Sequence, residues 1–246
     1  MIRYPFIYNQ VLQIYRDMEQ IRFPIEPDNI ISRFSNCRIR TYQQFAQTNG
    51  CSIRDVILLC ESKSGCTHYD VANNRYLILW NSDNADNNVS GRKRWTKAHE
   101  LGHVVLKHLP LVAEPMLAEH GFCPMETSDF EIEADQFAAT LLCPMPLFAM
   151  LEIKSPLDIQ RVFGVSNEAS NHRWDEYIKW LRYRRKTAWE NDMKRVAMQI
   201  CPGFCAVHLL HHYELIHTNF SCTSICFIMF LTAPQLRGAC SFLQLV

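Results

Sequence analysis

Arg94-Trp95-Thr96-Lys97-Ala98-His99-Glu100-Leu101-Gly102-His103 is the stretch on which the reading of this chain turns. Ser90 is a suitable N-cap and Pro110 enforces a stop, so the pattern predicts a helix from Ser90 to about His108 with both histidines in its second half. Histidines four apart on a helix are separated by about 40° around its axis, so both imidazoles reach a single ion from one face. Imidazole nitrogen suits zinc, and a catalytic zinc site typically has three protein ligands and a water. Glu100, beside His99, is placed to take a proton from such a water as the metal lowers its pKa. From this composition HExxH arises by chance roughly 0.02 times in a chain of this length, so the match is informative, and a third ligand decides.

The next helical pattern runs from Phe130 to Leu142 and ends at Cys143-Pro144. Its apolar stripe is Phe130, Ala134, Phe137, Ala138 and Leu141, which sets the face turned to the core. At 100° per residue Glu131 lies about 60° from Ala134 on the Ala138 side, whereas Glu133 lies about 100° away on the other. Glu131 is therefore the better-placed third ligand, with Glu133 the alternative. Asp135, one turn after Glu131, falls on the same flank and can orient a ligating histidine by accepting its second ring proton.

Working outward, Val11, Ile14, Tyr15, Met18 and Ile21 recur at helical spacing before Pro24 and Pro27 break the run. Asp28 caps a second short helix through Phe34, and residues 37–42 alternate like a strand. A helix follows around Ser52 to Cys60. His68–Ala72 and Arg75–Trp80 flank Asn73-Asn74, a pair tolerant of positive φ, and read as a β-hairpin. Residues 81–88 are a loop, and 109–128 a loop or broken helix. Ser155-Pro156 starts a helix to Phe163, Gly164 turns the chain, and Ser166 caps a short helix over 167–173. Residues 174–199 mix aromatics and charges as one long, partly exposed helix. These elements give an α+β fold, mainly helical, with a small β-sheet and a following small helical bundle.

The bulk numbers bound the function. A chain of 246 residues with 48% hydrophobic content supports one good core with accessories. Twenty-five basic against 25 acidic residues give net charge zero, which pulls the chain toward neither nucleic acid nor an anionic membrane. Eleven scattered cysteines fit reduced thiols better than a disulfide framework. The segment Met1-Ile2-Arg3-Tyr4-Pro5-Phe6 has no apolar core of signal-peptide length, and the apolar run Ile225–Leu231 is far below the roughly 20 residues a spanning helix needs. The expectation is a cytoplasmic protein with no membrane partner.

Residues 94–103, followed by Glu131-Ile132-Glu133-Ala134-Asp135-Gln136-Phe137-Ala138-Ala139-Thr140-Leu141-Leu142-Cys143-Pro144, resemble the ImmA/IrrE metallopeptidase family. The resemblance covers about residues 28 to 175, including Phe163-Gly164-Val165-Ser166, with Cys143 where a methionine is expected before the proline. It implies a gluzincin-like, zincin-type core with the sheet beside the active-site helix. It also implies Zn2+ held by His99, His103 and Glu131, with Glu100 as the catalytic base of an endopeptidase. Several family members cleave helix-turn-helix repressors, so the resemblance implies such a partner and a role in regulating a mobile element, stress or toxin-antitoxin operon. The alternative is a non-catalytic regulatory module that binds a repressor or DNA. The organisation expected is an N-terminal helical segment at 1–27, a zinc metallopeptidase domain at 28–150, a C-terminal helical region with a helix-turn-helix-like pair at 151–200, and a Cys/His-rich apolar tail at 201–246.

Weaker signals remain. Arg75–Trp80 can offer a strand edge to an extended substrate. Tyr42, His68, Tyr69 and Tyr76 are candidate oxyanion donors that no spacing ranks. Asn167, Asn171, His172 and Arg173 can touch DNA from the helical pair, although Glu168 and the neutral balance argue against direct nucleic-acid binding. Cys201, Cys205, Cys222 and Cys226 with the intervening histidines suggest a second zinc site, against which stand the three-residue gaps and the missing glycine knuckle. A poorly ordered extension, or the product of an altered reading frame, is the competing account of the same residues.

Overall fold

Four short runs form the sheet of the computed structural model, which describes residues 1–83, 90–112, 116–118, 129–183 and 187–200. Strands β1 (Cys37–Thr41), β2 (Gly65–Asp70), β3 (Arg75–Trp80) and β4 (Met116–Ala118) lie in the order β1-β3-β2-β4. β2 and β3 are the expected antiparallel hairpin, pairing His68 with Leu77 and Asp70 with Arg75 across a turn in which Asn74 takes φ 50°. β1 joins β3 in parallel and β4 joins β2 antiparallel. β3 is thus paired on both sides, so the strand edge that the sequence suggested there does not exist.

Successive residues of a strand point to opposite faces, and β2 shows what each face carries. Cys66 turns to a core of Tyr42, Ala46, Val56, Cys60 and Leu79, built by helices α3 (Tyr42–Asn49) and α4 (Ile53–Cys60). Thr67 turns the other way, to the helix that bears the HExxH motif. That helix, α5 (Ser90–Val105), packs on β2 and β3 and most extensively on α7 (Asp129–Leu142).

Helix α1 spans Tyr4–Arg16, not Val11–Ile21: Pro5 in its first turn supplies an N-terminus the apolar spacing does not reveal. Met18 and Ile21 are buried all the same, beyond the helix end. α1 packs against α7, where the Tyr15 hydroxyl donates to the Leu141 carbonyl at 2.7 Å. α2 (Pro27–Ile31) is shorter than expected, and Asp28 lies in its first turn, paired with Lys97 at 2.6 Å, with Glu26 at the cap position. α3 was not anticipated; its N-cap is Thr41, the last residue of β1, in a reciprocal box with Gln44. α5 stops at Val105, before Pro110, because Lys107 adopts φ 57°, and His108–Val112 forms the separate helix α6.

After a 3₁₀ turn at Met145–Leu147 come α8 (Pro156–Phe163), α9 (Asn167–Tyr183) and α10 (Ala188–Ile200). The break therefore falls after Tyr183, and the second member of the helix-turn-helix-like pair runs on without interruption past residue 173. Met1–Pro202 packs as one compact unit. No helix among the described residues is long and apolar enough to cross a membrane. The expectations placed on 119–128 and on the cysteines and histidines of 201–246 fall outside the described residues.

The start of α8 gives a local prediction. The Ser155 side chain accepts from the Asp158 N–H, while the Ser155 hydroxyl and the Lys154 N–H hold the Asp158 carboxyl below its usual range. A lowered folded pKa contributes stability that is complete above the unfolded pKa near 4 and is lost as pH falls through the folded value. Ser155→Ala is expected to cost about 1 kcal/mol at neutral pH, with a smaller difference from wild type in acid, as read by denaturant unfolding at the two pH values.

Candidate metal centre

Why α5 and α7 meet closely enough to share a site is explained by one residue of the motif. A Cβ on Gly102 would lie 3.2 Å from both Ala134 Cα and Phe137 Cδ1, so glycine permits a helix-to-helix approach that a side chain would push apart. The first turn of α7 then brings Glu131 over His99 and His103, both fully buried.

The three side chains converge. His99 Nε2 lies 3.1 Å from His103 Nε2 and 3.2 Å from Glu131 Oε2, and His103 Nε2 lies 3.4 Å from Glu131 Oε1. Zinc bonds to nitrogen and oxygen ligands are about 2.0–2.1 Å, so the edge of a tetrahedron of such ligands is about 3.3 Å. The observed spacings match that edge. Two imidazoles and a carboxylate also form a donor set suited to zinc. Burial, followed by the neighbouring His99 and His108, drives the His103 pKa well below its usual value, keeping the ring neutral as metal ligation requires. Among the described residues, His99, His103 and Glu131 are the group whose ligand atoms can hold one ion.

Asp135, chosen from helical phase, accepts from His99 Nδ1 at 2.9 Å. Glu133 turns elsewhere. Its carboxylate receives the Arg3 side chain at 2.9–3.0 Å, the Arg3 backbone N–H at 2.7 Å and His108 Nε2 at 3.1 Å. Burial pushes the Glu133 pKa up, yet Arg3 and His108 hold it below the ordinary value, so it stays ionised. His108 in turn meets His103 Nδ1 through its own Nδ1 at 2.9 Å, and burial lowers its pKa to about 4 against the pull of Glu133.

Glu100, fully buried, faces the sheet, and the Thr67 hydroxyl donates to its Oε2 at 2.6 Å. Gly65, two residues back on β2, leaves the room: a Cβ there would lie 2.9 Å from Glu100 Oε1 and 3.2 Å from the Leu79 carbonyl. Thr67, Gly65, His108 and Arg3 were not singled out from sequence. β2 alternation signals Thr67 once the hairpin is drawn, whereas Arg3 carries no local signal at all.

The oxyanion candidates are mostly engaged. The buried Tyr42 hydroxyl donates to the Ser62 carbonyl at 3.1 Å, Tyr69 donates to Asn74 at 3.0 Å, and Tyr76 stacks on Tyr69. His68 stands on β2 beside Thr67. Of the proposed DNA contacts, Arg173 is buried, with its guanidinium on the Cys143 carbonyl and Glu176, and Asn171 bonds Asn167. Cys143 is itself buried, its thiol pushed up to about 12 by that burial, and fills core space in place of the expected methionine.

Comparison with known proteins agrees with this geometry. No curated protein matches the chain. Residues 60–175 match the peptidase family model described as the IrrE N-terminal-like domain, a span that holds α5, α7, β2 and β3 and begins later than the resemblance read over 28–175. The domain at residues 60–175 belongs to the ImmA/IrrE family of metal-dependent peptidases.

Proposed function

We propose that this chain is a zinc-dependent endopeptidase of the cytoplasm that cleaves a helix-turn-helix transcriptional repressor and so regulates a mobile-element, stress or toxin-antitoxin operon. The observation that carries the metal assignment is the convergence of His99 Nε2, His103 Nε2 and the Glu131 carboxylate, with the two nitrogens 3.1 Å apart, Oε2 3.2 Å from His99 and Oε1 3.4 Å from His103. The repressor as substrate rests on the family resemblance alone.

When bound, zinc supplies a Lewis acid that lowers the pKa of a coordinated water to about 7 and polarises the scissile carbonyl. His99, His103 and Glu131 hold the ion, and Asp135 fixes His99 in the tautomer that leaves Nε2 open for it. Glu100, oriented by Thr67, takes the proton of the attacking water and returns it to the departing amine. The α5–β2 packing keeps that carboxylate out of bulk solvent, where a fixed orientation costs no reorganisation during the reaction.

The test uses the purified full chain. One zinc per chain is expected, together with cleavage of a small helix-turn-helix repressor encoded beside it that a chelator stops and added zinc restores. A properly folded protein that carries no zinc and takes none up would sink the proposal. Repressor binding with full regulation and no cleavage, unchanged in Glu100→Gln, would replace it with the regulatory-module reading.

A further inference from the structure

Each ligating histidine has a second ring nitrogen, and the two are held differently. His99 meets a carboxylate directly, through Asp135, whose side chain is 39% exposed. His103 meets another imidazole. Its Nδ1 lies 2.9 Å from His108 Nδ1, His108 Nε2 lies 3.1 Å from Glu133 Oε2, and Glu133 is bound by Arg3 through Nε and through the backbone N–H. His103 and His108 are fully buried, and Glu133 is 1% exposed.

The donor and acceptor roles along this line follow from its ends. Arg3 can only donate, so Glu133 accepts as a carboxylate. His108 must then carry its proton on Nε2, which leaves a lone pair on its Nδ1. That lone pair accepts only if His103 carries its proton on Nδ1, and His103 Nε2 is then the lone pair turned toward His99 Nε2 and Glu131. This protonation pattern satisfies each contact from Arg3 to His103 Nδ1, and it leaves acceptors only, His99 Nε2, His103 Nε2 and the Glu131 carboxylate, facing one another, which is the pattern metal ligation needs.

We propose that His108 is a positioning residue for the metal centre, relaying the Glu133–Arg3 ion pair through its ring to fix His103 in the ligating tautomer. This rests on the zinc-site reading above. The relay also ties Arg3 to His103: Arg3 precedes α1 and closes a contact with α7, so the segment ahead of α1 is part of the site's support. The left-handed turn at Lys107 makes it possible, because in a continuous helix His108 would lie about 140° around the axis from His103.

The test compares zinc affinity by chelator competition in wild type, His108→Phe and His108→Gln, with the melting temperature of each zinc-free protein measured alongside. Loss of an outer partner typically costs 10- to 100-fold in metal affinity, so a weakening of about that size is expected for His108→Phe. His108→Gln, whose amide oxygen can accept from His103 Nδ1, is expected to recover part of it at a similar zinc-free melting temperature. Should His108→Phe fail to fold, Arg3→Met on the half-exposed end of the relay is expected to weaken zinc binding in the same direction by a smaller factor. Nitrogen-15 spectra of the zinc-free wild type are expected to show His103 protonated on Nδ1 and His108 on Nε2.

Zinc affinity within twofold of wild type in His108→Phe, equal loss in the Gln and Phe variants, or the opposite tautomers would overturn the relay while leaving the zinc site standing. Failure of wild type itself to bind zinc would overturn the underlying reading, and the relay's role with it.

Discussion

Glu131→Gln is expected to strip the protein of stably bound zinc and with it all measurable peptidase activity, while Glu133→Gln retains zinc at reduced affinity. The carboxylate of Glu131 supplies the oxygen donor, with Oε2 3.2 Å from His99 Nε2 and Oε1 3.4 Å from His103 Nε2, and an amide there brings no charge to a dication. The loss should exceed the 10- to 100-fold typical of an outer-shell substitution. Glu133 acts one imidazole away, so its glutamine variant should fall inside that range. It also leaves Arg3 without its carboxylate, which predicts a lowered melting temperature for the zinc-free protein that Glu131→Gln does not share. Zinc titration of the two variants side by side reads both effects, and equal zinc loss in the two would contradict the assignment of Glu131 over Glu133.

That contrast was legible because it depends on one regular helix. Once Ala134 and Phe137 mark the buried stripe of α7, 100° per residue sets Glu131 and Asp135 on one flank, where the structure has them beside His99, and Glu133 on the other, where it is nonetheless the more buried because Arg3 and His108 cover it. The hairpin and the helix starts near Ser52 and Ser155 were readable for the same reason, each being set by a few neighbouring residues. α3 was missed although its signal is local: Thr41 and Gln44 have the spacing of a capping box, hidden because Thr41 also ends a strand.

His108 was illegible for a different reason. The sequence shows a helix-compatible run up to Pro110, and nothing in it demands φ 57° at Lys107; that turn folds His108 back under His103 only in the company of Glu133 and Arg3. Arg3 and Glu133 are 130 residues apart, and no spacing rule relates them. The same holds for β4, three residues that become a strand by pairing with β2, and for the join of α9 across the point where the sequence suggested a new helix. What periodicity encodes was readable, as was local turn chemistry apart from the cap of α3, and what long-range pairing decides was not.

The base is where the two kinds of information meet. Glu100→Gln is expected to lower kcat by about 10²- to 10⁴-fold with one zinc still bound, because the amide keeps the shape of the side chain and removes its capacity to take a proton. The support for that carboxylate came only with the sheet. Thr67 donates to Glu100 Oε2 at 2.6 Å, and Gly65 leaves open the space that a Cβ would take, 2.9 Å from Glu100 Oε1 and Thr96 Cγ2. The Leu79 carbonyl, 3.2 Å away on the other side, is backbone and yields little, so in Gly65→Ala the shift falls on Glu100 and α5. A misplacement of about 1 Å at a reacting group costs on the order of 10²-fold, which sets the expected loss in kcat for Gly65→Ala, again with zinc retained. Thr67→Val, which keeps the volume and removes the donor, should lower kcat without moving the metal. Cleavage rates and zinc content measured together on the three variants separate a base held by the sheet from a base that α5 alone positions: in the second case Glu100→Gln loses activity while Gly65→Ala and Thr67→Val turn over like wild type.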